Sequence, residues 1–238
     1  MMSMPDSIKP RKLSDEVQDR LLDLIRAGGL RPGDALPSER ELMTRYGVGR
    51  PAIREAMQSL QHMGIVDIRH GGRPRVAPPS VEGMVDQLGT TMRHLLTHTD
   101  RSLDHLKEAR VALEVEMARI AAERRSADDI AALRDIIDRQ EAARDDAEAF
   151  LDCDAAFHRR LAAISGNPIF EALAQGVFGW MRTFHVEQVR KLGREALTLR
   201  EHRKILEAIS LGNAQAAGQC MRDHLERANA LYHQENAP

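Results

Sequence analysis

Aromatic residues are scarce in this chain: one Trp, two Tyr and five Phe make up 3% of 238 residues. Sheet proteins lean on aromatic and β-branched side chains, so this shortage argues against an all-β fold. The frequent Ala, Leu, Arg and Glu favour helices instead. Cysteine is scarcer still. Cys153 and Cys220 fall in helical patterns without zinc-finger spacing, which excludes a disulfide scaffold and leaves two reduced packing residues. No stretch approaches the roughly 18 apolar residues that a membrane helix needs. The opening MMSMPDSIKPRK has no apolar run and so no signal peptide. These absences predict a cytoplasmic protein away from the membrane. The hydrophobic content of 42% suits one or two domains.

The net charge of −2 becomes informative once it is divided. Residues 1–79 carry 13 Lys plus Arg against 10 Asp plus Glu, a net +3, while the remainder carries 21 against 26, a net −5. A basic front on an acidic back fits a nucleic-acid head on a domain with another task.

The front reads as a helical DNA binder. Residues 1–11 form a mobile leader, and Leu13 to Ala27 is an amphipathic helix with Ser14 as its N-cap, stopped by Gly28-Gly29. Ser38 followed by Glu41 is a capping box, so a short helix starts there. It ends at Gly47, a residue free to turn left-handed. A second helix runs from about Arg50 to Met63 with Pro51 in its first turn. Ile53, Met57 and Leu60 face inward, and Arg50 and Arg54 outward. From Ile65 the period becomes two: Ile65 to Arg69 goes out, His70-Gly71-Gly72 turns, and Arg73 to Val76 returns. Ser38 to Arg75 holds seven Arg, no Lys and four acids. Arg is the side chain that forks onto guanine edges and phosphates. A helix-turn-helix with a basic wing, offering its second helix to a major groove, binds double-stranded DNA.

Ala77-Pro78-Pro79-Ser80 marks the boundary, since prolines cannot continue strand pairing. The expected domains are a winged helix at 12–77, a linker at 78–80 and an all-helical domain at 81–238. Within the last, helices are expected near 81–97, 101–124, 127–145, 147–165, 168–190, 195–211 and 213–234. The fold class is therefore mainly α, a winged helix-turn-helix followed by a bundle of about seven helices.

A few polar residues interrupt the apolar stripes of that bundle. Asp154 and His158 lie one turn apart on the face set by Phe150, Phe157 and Leu161. His202 falls in the stripe Leu199, Ile205, Leu206 and Ile209. His224 falls in the stripe Ala217, Cys220, Met221, Leu225 and Ala228. Any one of these histidines fits a core imidazole bonded to a carbonyl. An unpaired buried carboxylate is costly, however, and all four together are better explained by a cation. Three His and one Asp suit Zn²⁺, or Ni²⁺ or Mn²⁺, with one or two positions open. His62, His94, His98, His105, His185 and His233 are read as surface or incidental. Arg110 interrupts the stripe Leu103, Leu106, Leu113, Met117 and Ile120. A buried guanidinium needs an anion: either an acidic residue of a neighbouring helix or a carboxylate ligand held bidentately.

The run LPSERELMTRYGVGRPAIREAMQSLQHMGIVDIRHGG resembles the winged-helix domain of the GntR regulators, and within them the FadR-type branch with its all-helical FCD effector domain. The resemblance implies DNA contacts from Arg40, Arg50 and Arg54, and minor-groove entry by His70 and Gly71 at the wing tip. Around the first recognition Arg this chain carries Gly49, Pro51 and Ala52 where the family often has small hydroxyl residues, which alters the expected base preference. The branch's metal motif matches Asp154, His158, His202 and His224, and its pattern places an Arg at Arg110, favouring the ligand reading there.

The wording RKLSDEVQDRLLDLIR, VGRPAIREAM, RPRVAPPS and GNPIFEAL looks like the sialic-acid-responsive repressors of that branch. That likeness makes N-acetylneuraminate the leading effector, with hexuronates, hydroxy acids and other small carboxylates as alternatives and Gly179-Trp180-Met181 to Val186 as a candidate lining. The expected protein is a homodimeric repressor released by a small carboxylate. The competing reading is a metal-dependent hydrolase fused to a DNA-binding module. It lacks a Glu or Asp beside the four ligands to serve as general base.

Overall fold

A computed structural model describes residues 11–69, 72–99, 101–189 and 195–233. The expected leader lies almost wholly outside them. The chain divides into two compact units, the first ending at Gln87 and the second beginning at Leu88.

In the first unit, α1 (Leu13–Ala27), α2 (Glu39–Tyr46) and α3 (Arg50–His62) are followed by β1 (Val66–Asp67) and β2 (Arg75–Val76). The capping box is formed in full: Ser38 Oγ accepts from the Glu41 backbone N–H while the Glu41 carboxylate accepts from the Ser38 N–H. Gly47 ends α2 at φ 66°, left-handed backbone that a side chain would strain. Val17 and Leu21 of α1, Leu42 of α2 and Ile53, Met57 and Leu60 of α3 close one core with Leu36, Val66 and Val76.

Two local expectations are corrected. Lys12, not Ser14, is the N-cap of α1, without a side-chain bond, and Ser14 is buried inside the helix. The wing strands are also shorter than their alternating pattern predicts. Pro74 has no N–H to extend the ladder, and β2 turns its other edge inward. Val76 donates to Asp34 O, and Pro74 O accepts from the Leu36 N–H. The return strand is thus held between β1 and the 33–36 segment.

The second part of the chain is helical: α4 (Val81–His98), α5 (Ser102–Arg124), α6 (Ala127–Ala142), α7 (Ala147–Ile164), α8 (Pro168–Val189), α9 (Glu195–Ser210) and α10 (Ala214–His233). The division between the compact units falls within α4. The largest departure is the end of α6, three residues short of 145. There the chain turns so that Asp146 can accept from the Glu148 and Ala149 N–H groups at 3.1 Å and cap α7. A second capping box, Ser126 with Asp129, starts α6.

Helix α5 is the central pillar and packs against α7, α8, α9 and α10. Its inner face carries Ala118, Ala121 and Ala122, small enough for neighbouring backbones to come close. Around them lie Leu133 and Ile137 of α6, Phe157 and Leu161 of α7, Leu199 and Ile205 of α9, and Met221 and Leu225 of α10.

Candidate metal centre and nucleic-acid interface

Asp154, His158, His202 and His224 meet. Each offers a ligand atom, and the four atoms lie within 4.8 Å of one another, all on buried residues. Phe157, fully buried between Asp154 and His158 in sequence, stacks on the His202 ring with centroids 4.1 Å apart. The three imidazoles sit 4.9 to 5.5 Å from one another by ring centroid. They reach this point from α7, α9 and α10, so no local segment builds the cluster.

Each imidazole is held from behind. Gln140 of α6 accepts from His202 Nδ1 at 2.8 Å and donates to Asp154 Oδ1 at 3.3 Å. Glu201 of α9 accepts from His224 Nδ1 at 2.8 Å and pairs with Arg227. Glu114 of α5 brings its Oε2 against His158 Nδ1. Pinning Nδ1–H leaves Nε2 as the lone-pair atom pointing forward.

A cation fits these residues by a structural test. Among the described residues the buried Nε2 atoms of His158 and His202 have no hydrogen-bond partner, and His158 Nδ1 and Glu114 Oε2 meet only as a close contact, without hydrogen-bond geometry. A buried polar atom left unpaired costs about 1–3 kcal/mol, and two side by side call for a shared acceptor of lone pairs. Protonation states agree. Burial alone would raise the Asp154 carboxyl, but His158, His202, His224 and Arg110 outweigh it and hold it at about 2. Burial drives His202 well below the usual imidazole value against the pull of Asp154, and lowers His224 against the Glu201 bond. An ionised Asp154 beside a His202 and a His224 biased to neutrality is the donor state a metal requires.

Arg110 is buried one helix face away. On α5 itself, Nε donates to Glu114 Oε1 at 2.6 Å. The guanidinium lies 4.6 Å over the Phe178 ring, and Phe178 also packs against His158. Met181 approaches Arg110 Nη1 at 3.9 Å. Of the expected cavity lining, Gly179 faces a cleft of ≈ 290 Å³ between α7 and α8, with Leu151, Arg159 and Phe178. The side chains of 182–186 lie outside the described residues.

Glu114, Gln140 and Glu201 were not found from the sequence. Two had a signal: Glu114 is one turn from Arg110 on the same stripe, and Gln140 continues Leu133, Ile136 and Ile137. Glu201 had none, being off the stripe that carries His202. The expectation that no acid adjoins the ligands is therefore overturned. Glu114 and Glu201 do adjoin them, but both engage the far nitrogen of an imidazole, where they orient rather than act as a base.

In the first unit Arg40, Arg50 and Arg54 are exposed. Arg50 and Arg54 share one acid, Glu39, with Nε···O distances of 3.9 and 3.5 Å. Exposed pairs of this length hold weakly and leave both guanidinium groups available. Wing-tip residues His70 and Gly71 lie outside the described residues. No helix among the described residues is long and apolar enough to cross a membrane.

Comparisons with known proteins agree with this division. Residues 13–76 match the bacterial regulatory proteins of the gntR family, and residues 105–227 match the FCD domain. The HTH-type transcriptional repressor NanR of Salmonella schwarzengrund is 33% identical over 94% of this chain and 85% of its own length. NanR of Salmonella typhimurium shows the same figures. Among solved structures, Streptococcus agalactiae GntR superposes with a TM-score of 0.64 at 29% identity, covering 91% of this chain and 99% of that one. E. coli McbR/YncC, at 17% identity and TM-score 0.54 over 96% and 100%, shares the fold.

Proposed function

Because the chain belongs to the GntR family of transcription regulators, with an FCD domain behind its DNA-binding head, we propose that it is a cytoplasmic, homodimeric repressor released from operator DNA by a small carboxylate metabolite. The gntR-family match and the NanR relatives are regulators, which retires the hydrolase alternative. The sign of regulation follows the name of the NanR relatives.

One observation carries the effector half of this reading: four ligand-type atoms converge within 4.8 Å beside a buried arginine. A bound divalent ion, Zn²⁺ first with Ni²⁺ or Mn²⁺ as alternatives, would supply positive charge and an open coordination position for a carboxylate oxygen. Asp154, His158, His202 and His224 would hold it. Arg110 would take the acid through charge-assisted hydrogen bonds, stiffened by the Phe178 ring beneath it. The buried charge of this pocket explains how a domain of net negative charge receives an anion. N-acetylneuraminate is the first effector to try, on the likeness to NanR, with hexuronates and hydroxy acids next.

In the head, residues 12–77, Arg50 and Arg54 would read base edges in the major groove, Arg40 would contact phosphate, and His70 and Gly71 would enter the minor groove. The linker at 78–80 joins it to the effector domain, residues 81–238. An acid that binds one arrangement of the heads better than the other shifts the population toward it.

The test is a footprint on DNA selected from a random pool, with metal-loaded protein. Two half-sites about one helical turn apart are expected. Arg54→Ala should weaken specific binding by about 1–3 kcal/mol, and N-acetylneuraminate should release the protein. An unchanged footprint with Arg54→Ala defeats the DNA assignment. Calorimetry showing no uptake of N-acetylneuraminate removes that effector and passes the test to the other acids.

A further inference from the structure

Glu114 sits on α5, 3% exposed, and its two oxygens go to different partners. Oε1 accepts from Arg110 Nε at 2.6 Å. Oε2 faces Nδ1 of His158 across the gap to α7. Gln140 and Glu201 hold their imidazoles in a similar way, and Glu201 also holds Arg227, but Glu114 is the carboxylate that holds the buried Arg110. Its position is therefore set by both partners at once. If either partner shifts, the carboxylate must follow or lose a bond in a region where an unpaired charge is expensive.

Resting on the reading that a metal and an acid share this pocket, we propose that Glu114 is a positioning residue that makes metal retention depend on Arg110. Through Oε2 it fixes the His158 ring with Nε2 forward; through Oε1 it fixes the guanidinium that meets the acid. The dependence runs both ways, as any coupling between two bound ligands must. An acid that draws Arg110 toward itself changes the hold on His158, and a metal that locks His158 prepares Arg110.

Glu114→Gln is the diagnostic change. An amide has one acceptor oxygen, so it can serve Arg110 or His158 but not both. If its NH₂ turns to His158 instead, the ring is driven to the tautomer that carries its proton on Nε2 and cannot ligate there. Arg110→Gln is the companion change: it leaves the four ligands in place and removes one of the two holds on Glu114, while the cation it takes from near Asp154 would by itself favour a bound Zn²⁺.

The experiment is Zn²⁺ competition against a chromophoric chelator on the full chain, with thermal unfolding of the metal-free protein as control. Glu114→Gln is expected to weaken Zn²⁺ binding roughly 10–100-fold. Arg110→Gln is expected to weaken it as well, and the double variant to lose less than the two losses combined. A purely structural role would lower metal-free stability and leave Zn²⁺ affinity alone. Zn²⁺ affinity within about twofold of the unsubstituted protein in both variants, or losses that add in full, overturns the coupling while leaving the metal site standing. Unsubstituted protein that binds no Zn²⁺ overturns the metal reading itself, and the coupling with it. Should Glu114→Gln lose its helical signal, Arg110→Gln decides alone, and an unchanged Zn²⁺ affinity sinks the proposal.

Discussion

Glu41 accepts from the Ser38 N–H at 2.6 Å, from the Ser38 hydroxyl at 2.8 Å and from Arg73 at 2.8 Å. The backbone bond to Ser38 leads in lowering its carboxyl, followed by the Ser38 hydroxyl and Arg73, to about 2 from an ordinary value near 4.5. Because the folded value is the lower one, the carboxylate's contribution is whole above the unfolded value and disappears as pH falls through about 2. Glutamine at this position still accepts from the Ser38 N–H but does not titrate. Melting curves of the unsubstituted protein and Glu41→Gln should therefore differ at pH 5 and draw together toward pH 2. Curves that stay a fixed distance apart over that range would contradict the assignment. The capping box was legible at this scale because Ser38 and Glu41 are three residues apart, and all its partners lie within one turn. Arg73, brought to Glu41 from the wing, was not.

Helix α7 shows what an element adds. It supplies Asp154 and His158 to the centre, and their register depends on where the helix starts. Asp146 sets that start through two bonds of 3.1 Å to the Glu148 and Ala149 N–H groups. Asp146→Ala should cost about 0.5–2 kcal/mol of stability, read as a lower urea midpoint with unchanged slope. Phe157→Ala belongs to the same element with a heavier penalty. It empties a fully buried ring site and takes the stacking support from His202, at about 3–5 kcal/mol. The inner face of α7 was visible in the sequence as a helical period of apolar residues. The early end of α6 was not, because its pattern runs on past Ala142 and only the competing cap at Asp146 stops it. Strand length in the wing failed similarly: alternation was present, but Pro74 and the pairing of β2 with the 33–36 segment decided the ladder.

For the molecule, the ion is expected to act as a bolt through three separate helices, α7, α9 and α10. A ligand that binds only the folded state at 100 times its Kd adds about 2.7 kcal/mol. In a chain of this size that is roughly 5–10 °C in Tm. Dialysis against a chelator should lower the melting temperature of the bundle by that order, and Zn²⁺ should restore it. A transition indifferent to chelator and Zn²⁺ would speak against a resident ion.

The sequence by itself determined the helices, the basic head and the four inward-facing polar residues Asp154, His158, His202 and His224. Each follows from short-range spacing: periods of 3.6 and 2, caps three residues apart, and polar residues interrupting an apolar stripe. Tertiary structure alone decided that the four meet at one point and which groups stand behind them. The bonds of Gln140 to His202 and Glu201 to His224, and the contact of Glu114 with His158, all cross between helices. Which faces meet depends on how whole helices pack, and that information is spread over the entire core rather than held in any one stretch of chain.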